Sequence, residues 1–92
     1  MTKADIVTDI SHKTGLDRAA VLTIVEKLME VVKDSMAGGN NVYLRGFGSF
    51  VIKTRKETTA RNISKNTAIK IPEHNIPAFK PSKVFMDLVK DN

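Results

Sequence analysis

The side chains best suited to chemistry in this sequence are cations, and they concentrate in one stretch. From Lys53 to Ala68 the chain is rich in threonine and basic residues, with Ile63 as its large apolar side chain. Threonine favours strands, yet almost nothing in this stretch offers a core to bury. Lysine and arginine neutralise phosphates and release counterions from a polyanion. We predict an exposed β-ribbon over residues 53–70 whose basic residues contact nucleic acid: Lys53, Arg55, Lys56, Arg61, Lys65 and Lys70.

The predicted ribbon turns near residues 62–66 and returns to the body at Ile69 and Ile71. About eight residues per strand, at about 3.3 Å each, would reach roughly 25 Å from the body. Alternation along a strand places Lys53 and Arg55 on one side, as it does Thr59 and Arg61. Such rows also occur as solvated faces or protected edges. The lack of a core beneath the ribbon favours contact with a partner.

The distribution of charge separates the chain into two halves. Residues 1–40 carry five basic and six acidic side chains, whereas residues 41–92 carry ten basic and four acidic ones. A near-neutral half joined to a basic half is typical of a scaffold followed by a polyanion-binding surface. A solubilising excess of lysine is the plainer alternative.

Residues 1–39 are predicted to form two helices. Thr2 with Asp5 resembles a capping box, and Gly15 provides a C-terminal cap. Asp17 precedes a second helix that runs to the Gly38-Gly39 pair. The chain has 92 residues and no internal repeat, so it is expected to be a single domain.

The second helix is apolar around most of its circumference, more than one short helix of the same chain can cover. We infer a symmetric homodimer, with residues 1–39 as its helical dimerisation region. The alternative is a helix wrapped by the chain's own strands. The expected dimer core comprises Val21, Ile24, Val25, Leu28, Val32, Phe47, Phe50 and Phe79.

After Gly39 the apolar period becomes that of strands. Gly46-Phe47-Gly48 is predicted to form a tight turn, and a strand is predicted from Ser49 with Phe50 and Ile52 facing the core. Ser82 is expected to cap a last helix. That helix is predicted to point four apolar residues inward: Val84, Phe85, Leu88 and Val89.

Three strings in this sequence resemble the bacterial HU and integration host factor proteins. They are Arg45-Gly46-Phe47-Gly48-Ser49-Phe50, the pair Arg61-Asn62, and Ile76-Pro77-Ala78-Phe79-Lys80-Pro81-Ser82-Lys83. The likeness covers essentially the whole chain in order and spacing. It implies an α+β fold: an intertwined dimer with a helical base, a small antiparallel sheet and protruding β-ribbon arms that wrap double-stranded DNA through its minor groove.

The resemblance also implies which residues meet DNA. The arm residues named above would be joined by Asn62, and the body would brace phosphates. Glycine allows close backbone approach to a phosphate, although Gly46 and Gly48 could equally serve the turn alone. The expected body contacts are Lys3, Gly46, Gly48, Ser49, Lys80, Ser82 and Lys83.

The arm tip departs from the family pattern. The family commonly has proline after Arg-Asn, where it wedges between base pairs, and this chain has Ile63. Isoleucine is also among the apolar side chains that wedge in the minor groove. We expect Ile63 to be the intercalating wedge, although an exposed isoleucine is common on any protein surface.

Catalytic chemistry is poorly provided for. The chain has no cysteine, and His12 and His74 lie in different segments without carboxylates at ligand spacing. We expect no enzyme activity, no metal and no cofactor. No signal peptide or membrane span is expected, which favours a cytoplasmic, nucleoid-associated protein.

Several alternatives stay open at this level. The arms could instead add strands to another protein, making the chain a protein-interaction or structural dimerisation module. Shape-based RNA binding is a subsidiary possibility. Sequence-blind and site-selective DNA binding are not distinguished, because minor-groove readout is degenerate. Nor is a homodimer distinguished from a heterodimer with a paralogue.

Overall fold

The computed structural model describes residues 1–62 and 67–91, with main chain only for residues 60–62, 67 and 68. Ile63 and Lys65, predicted for the ribbon tip, lie outside the described residues. The chain forms two compact units, a helical unit (residues 1–35) and a sheet unit (residues 36–92). The predicted α+β class is confirmed. The elements are α1 (Lys3–Thr14), α2 (Arg18–Ala37), β1 (Val42–Leu44), β2 (Gly48–Arg55), β3 (Thr58–Asn62), β4 (Thr67–Ile71), β5 (His74–Pro81) and α3 (Lys83–Lys90).

In the helical unit, helices α1 and α2 begin and end close to the predicted boundaries. The Asp5 N–H donates to Thr2 Oγ1 (3.3 Å), and the Thr2 N–H donates to Asp5 Oδ2 (2.9 Å), which completes a capping box. Gly15 has φ +74° and donates its N–H to the Ser11 carbonyl (2.9 Å). Asp17 immediately precedes α2, and its carbonyl accepts from the Val21 N–H (3.0 Å). The caps at Thr2 and Gly15 are confirmed, because they depend on near neighbours only, whereas at Asp17 only the start of the helix is confirmed.

The helical unit buries little of its apolar surface within one chain. Val7 and Val21 are buried, at 0% and 2% exposure. Ile24 and Leu28, predicted for the dimer core together with Val21, are 61% and 52% exposed. Val25 and Val32 are half-buried. Val21 is therefore covered within the chain, whereas Ile24 and Leu28 present apolar surface that a second chain could cover.

Three antiparallel strands in the order β1-β2-β5 form the sheet of the sheet unit. Phe50 pairs with Phe79 across β2 and β5, and their ring centroids are 5.0 Å apart. Phe47 lies 5.1 Å from Phe79 and 5.3 Å from Phe85 by the same measure. Contacts at these separations are typical of packed aromatic rings. Phe47, Phe50 and Phe79, predicted for the dimer core, thus contact one another within the single chain together with Phe85, and their part in a dimer stays a prediction.

A long pair of strands extends from this sheet, and the register of pairing is the same before and after an interruption in the ladder. The pairing that joins Gly48 to Pro81 continues to Arg55 opposite His74 in the sheet, and resumes in the two-stranded pair β3-β4 as far as Asn62 opposite Thr67. Strands β3 and β4 belong to a separate two-stranded sheet. The predicted ribbon therefore exists in the described residues, as an extension of β2 and β5.

The ladder is interrupted between β4 and β5, and proline explains why. The Ser82 N–H donates to the Phe47 carbonyl (2.9 Å). Every second residue counted back from Ser82 along β5 therefore directs its main-chain N–H group toward β2. Pro72 occupies one of these positions but has no N–H group, so it cannot donate a ladder hydrogen bond there. Pro77 and Pro81 are in the opposite phase, on the free edge of β5, where strand prolines are tolerated.

The turn after β1 differs by one residue from the prediction. It runs from Leu44 to Phe47, whose N–H donates to the Leu44 carbonyl (3.0 Å), and Gly46 takes φ +81°. Gly48 belongs to strand β2, one residue before the predicted start at Ser49. A Cβ on Gly48 would lie 2.6 Å from both the Lys80 carbonyl oxygen and Phe79 Cζ. Gly48 thus serves close strand packing, and Gly46 serves the turn.

Helix α3 begins as predicted but buries less than predicted. Ser82 Oγ accepts from the Phe85 N–H (3.2 Å) and caps the helix. Phe85 packs into the aromatic cluster, yet Val84, Leu88 and Val89 are 61%, 67% and 59% exposed. The prediction that all four point inward was wrong for the single chain, because this eight-residue helix contributes one aromatic ring to the cluster.

Candidate nucleic-acid interface

An open groove of about 610 Å³ lies on the sheet unit, beside the turn after β1. It combines main-chain positions at two glycines with hydroxyl and ammonium side chains, the donor types that bind phosphate. The groove brings together five of the predicted body contacts. These are Gly46, Gly48, Ser49, Lys80 and Ser82.

A row of polar side chains crosses the groove face of the sheet. Tyr43 on β1 pairs with Ser49 on β2, and Ser49 pairs with Lys80 on β5. Directly paired residues project to the same side of a sheet. The neighbouring pairs, Val42 with Phe50 and Phe50 with Phe79, are shifted by one residue and so belong to the aromatic face. The sheet therefore has one aromatic face and one hydrogen-bonding face.

The hydrogen-bonding face continues along the hairpin. Lys53 and Arg55 lie four and six residues after Ser49 on β2, so they share its side of the strand. Both are exposed. His74 pairs with Arg55 from β5, and its Nδ1–H donates to the Pro72 carbonyl (3.0 Å). One face thus carries polar and cationic side chains at the groove and again at the base of the arm, with the apolar pair Val51 and Ala78 between them.

Other predicted contacts are placed less directly. Lys56 is exposed, but it directly follows Arg55, so alternation places it on the other side of the chain from Lys53 and Arg55. Lys70 Nζ lies 2.8 Å from Glu57 Oε1, in an ion pair across the ribbon. Arg61 and Asn62 occupy strand β3, where only their main chain is described.

Two predicted body contacts do not line the groove. Lys3 belongs to the helical unit, where its Nζ lies 3.6 Å from Glu26 Oε1. Lys83 is the first residue of α3 and is exposed. Their part in binding stays a prediction.

Three side chains that the sequence analysis did not assign belong to this surface. Tyr43 and Arg45 line the groove, and His74 lies on the hydrogen-bonding face opposite Arg55. Arg45 had a signal, since it opens the string that carries the family resemblance. Tyr43 had none, because its place in the groove depends on the register between β1 and β2 and on the row that leads to Lys80 on β5.

The described residues contain no group of three or more histidine, aspartate or glutamate side chains that could hold a metal ion. Among them, no helix has the length and apolarity required to cross a bilayer.

A helical unit joined in sequence to a sheet that extends into a cationic two-stranded arm defines a β-arm DNA-binding protein. The chain belongs to the family described as Bacterial DNA-binding protein, whose profile matches residues 1–90. It is accordingly a DNA-binding protein of the HU type and not an enzyme, and the family resemblance is confirmed.

Relatives and solved structures agree with this assignment. DNA-binding protein HU of Thermus thermophilus is 40% identical over 90 residues, which is 98% of this chain and 93% of that protein. Integration host factor subunit alpha of an Anaeromyxobacter species (strain Fw109-5) is 31% identical over 84 residues, 91% of this chain and 85% of that protein. A cocrystal structure of Anabaena HU with DNA superposes with a TM-score of 0.94 at 28% identity, and covers 100% of both chains.

Proposed function

We propose that a homodimer of this chain binds double-stranded DNA through the minor groove and bends or compacts it. The observation that carries the proposal is one face of the sheet with polar and cationic side chains at both of its ends. It runs from Ser49 and Lys80 in the groove to Lys53 and Arg55 at the base of the arm. The likeness to HU, solved in complex with DNA, supports the same use of this face.

The two parts of this face have different tasks. Hydroxyls, main-chain N–H groups and Lys80 in the groove hold phosphates, which positions the duplex without reading its sequence. The arm follows the minor groove, where its cations neutralise phosphates on both sides. A wedge at Ile63 opens a base step and kinks the duplex, so that more DNA reaches the protein surface.

Dimerisation supplies the second arm and covers apolar surface left open in one chain. Ile24 and Leu28 in the helical unit are more than half exposed, and so are Leu88 and Val89 in α3. Apolar exposure on this scale is unusual for a small soluble monomer. The likeness to an integration host factor subunit supports assembly with a second chain, and a paralogue could take that place. The dimer acts in the cytoplasm as a nucleoid-associated protein that condenses the chromosome.

The testing experiment compares binding to linear, nicked and pre-bent duplexes of unrelated sequence, each over a series of salt concentrations. We expect steep, log-linear weakening with salt and tighter binding to distorted duplexes whatever their sequence. Strict preference for one sequence would instead indicate site selection. Binding that is insensitive to salt would contradict a phosphate-binding face and would favour docking to another protein.

A further inference from the structure

The hydroxyl of Tyr43 is held in one orientation by a chain of hydrogen bonds that starts in the strand ladder. Phe50 on β2 pairs with Val42 on β1, and the next N–H on β2 that faces β1 belongs to Ile52, beyond the start of β1. That N–H donates to Asn41 Oδ1 at 2.9 Å. The side chain of Asn41 therefore supplies the acceptor that a longer strand would have provided.

This bond fixes which end of the Asn41 amide faces Tyr43. With Oδ1 directed at Ile52, the amide nitrogen Nδ2 lies 3.3 Å from the Tyr43 hydroxyl oxygen. An amide NH₂ group donates only, so the Tyr43 oxygen is the acceptor in this contact. The hydroxyl hydrogen of Tyr43 is then directed to an acceptor other than Asn41.

The position of Tyr43 defines what that acceptor is. Its side chain is 71% exposed and lines the groove of about 610 Å³. Arg45 and Lys80 line the same groove, and Lys80 lies in the row with Ser49 and Tyr43. Two cations attract an anion, and an O–H donor to an anionic oxygen forms a strong hydrogen bond. A phosphate oxygen of a DNA backbone fits this set.

We propose that Tyr43 is a phosphate-binding residue of this protein, and that Asn41 is the residue that positions it. The proposal rests on the proposed function and deepens it, because it assigns the groove a neutral donor beside its cations. A neutral donor displaces no counterion from DNA. Tyr43 therefore contributes affinity that does not depend on salt, whereas each lysine contributes to the salt slope.

The first test measures duplex binding by the full-length protein and its Tyr43→Phe variant over a salt series. The homodimer loses one hydrogen bond from each protomer, so binding is expected to weaken about five- to a hundredfold at every salt concentration. The slope of log affinity against log salt should be unchanged. Lys80→Gln is the matched control in the same row, and its slope should fall by about 1.8, because the homodimer loses one phosphate contact from each protomer. Wild-type affinity for Tyr43→Phe overturns the proposal, and so does a reduced slope.

The second test asks whether Asn41 acts through Tyr43. Asn41→Asp keeps an acceptor for the Ile52 N–H but replaces the Nδ2 donor with a second acceptor, which draws the Tyr43 hydroxyl hydrogen away from the groove. In that background, Tyr43→Phe is expected to cause no further loss of affinity, although the added charge weakens binding by itself. An undiminished effect of Tyr43→Phe overturns the positioning role. Thermal unfolding of each variant checks that the fold is intact.

A third readout separates this proposal from the proposed function. Tyr43 is the single tyrosine of the chain, so isotope-labelled tyrosine gives one reporter in the NMR spectrum of the full protein. Its hydroxyl-bearing carbon should shift when duplex DNA is added to the wild type. If the protein binds DNA with a steep salt slope and this signal stays in place, the proposed function stands and the role of Tyr43 is overturned. If the wild type does not bind DNA, both fail.

Discussion

Glu57 and Lys70 form an ion pair across the ribbon, with Oε1 and Nζ 2.8 Å apart. The pair joins the interruption in the ladder to strand β4, since Glu57 lies between β2 and β3 and Lys70 lies in β4. The side chains of Lys70 and Glu57 are 77% and 45% exposed, so the pair contributes about 0–1 kcal/mol to stability. The pair has a greater effect on DNA binding, because it engages Lys70, one of the cations predicted to contact DNA.

Replacing Glu57 with Gln is therefore expected to strengthen DNA binding. The variant frees Lys70 of each protomer for a phosphate, and the slope of log affinity against log salt should steepen by up to about 1.8. Glu73→Gln is the control, because it makes the same change of net charge near the same interruption but in the opposite phase of the ribbon. Equal gains for both variants would show that net charge matters and the pairing does not. Fluorescence anisotropy of a labelled duplex measures both.

Local features of this fold were predictable from the sequence, and the caps illustrate why. Thr2, Gly15 and Ser82 act on groups within four residues of themselves, so residue type and spacing were enough to find them. Phe50 was also recognised, since strand alternation places it on the core face with Ile52, and Phe47 and Phe79 were recognised from their apolar character. The ribbon followed from a basic, threonine-rich stretch with no core to bury.

Features that depend on distant strands were not predictable. Gly48 was assigned to the turn, because nothing near it in sequence reveals that Lys80 and Phe79 approach its α-carbon. Tyr43 joins the groove only through a row across three strands. The ion pair that occupies Lys70 likewise depends on cross-strand register. Single-chain burial of α3 was overestimated, because the pattern of Val84 and its apolar neighbours does not say which chain covers them.

The two glycines of the groove are expected to respond differently to substitution. Gly48→Ala should destabilise the protein by about 1–3 kcal/mol, because the new Cβ meets the Lys80 carbonyl and the Phe79 ring at 2.6 Å. Gly46→Ala meets nothing within 4 Å but must adopt φ +81°, which costs about 1–2 kcal/mol. Urea unfolding at fixed protein concentration measures both.

Asparagine distinguishes these two causes. It enters the left-handed region more readily than alanine, so Gly46→Asn should recover part of the stability lost in Gly46→Ala. Gly48→Asn should recover none, because any Cβ meets the same atoms. Recovery at position 48, or its absence at position 46, would contradict this assignment.

The start of α1 is expected to depend on pH. The Thr2 N–H (2.9 Å) and hydroxyl (3.0 Å) donate to the Asp5 carboxylate and lower its pKa from the ordinary value of 3.8. A lowered pKa in the folded state means that the ionised carboxylate stabilises the cap. That contribution is complete above pH 3.8 and is lost as pH falls through the lower folded value.

The amide chemical shifts of Thr2 and Asp5 should report this loss in an acid titration. Asp5→Asn keeps an acceptor but cannot ionise, so its first turn should show no such transition. A transition of equal size in the Asn variant would mean that another group is responsible.

Leu28→Asp is expected to shift the protein from dimer toward monomer. Leu28 is 52% exposed in one chain, and a carboxylate at a buried apolar contact loses hydration without gaining a partner. Lys33→Asp introduces the same side chain on the polar arc of α2 and should leave the dimer intact. Sedimentation equilibrium at micromolar concentration compares them. A monomeric wild type, or an unchanged dimer in Leu28→Asp, would contradict the proposed interface.

Ile63→Ala tests the proposed wedge at the arm tip. An apolar side chain inserted between base pairs opens one step and kinks the duplex, whereas most of the affinity comes from phosphate contacts elsewhere on the arm and body. The variant is therefore expected to bind a linear duplex almost as tightly as the wild type and to bend it less. Ring closure of short DNA fragments measures the bend, and Ile63→Pro, which introduces the family's usual residue, should keep ring closure efficient. Equal ring closure by Ile63→Ala and the wild type would rule out a wedge, since phosphate neutralisation alone would then account for the bending.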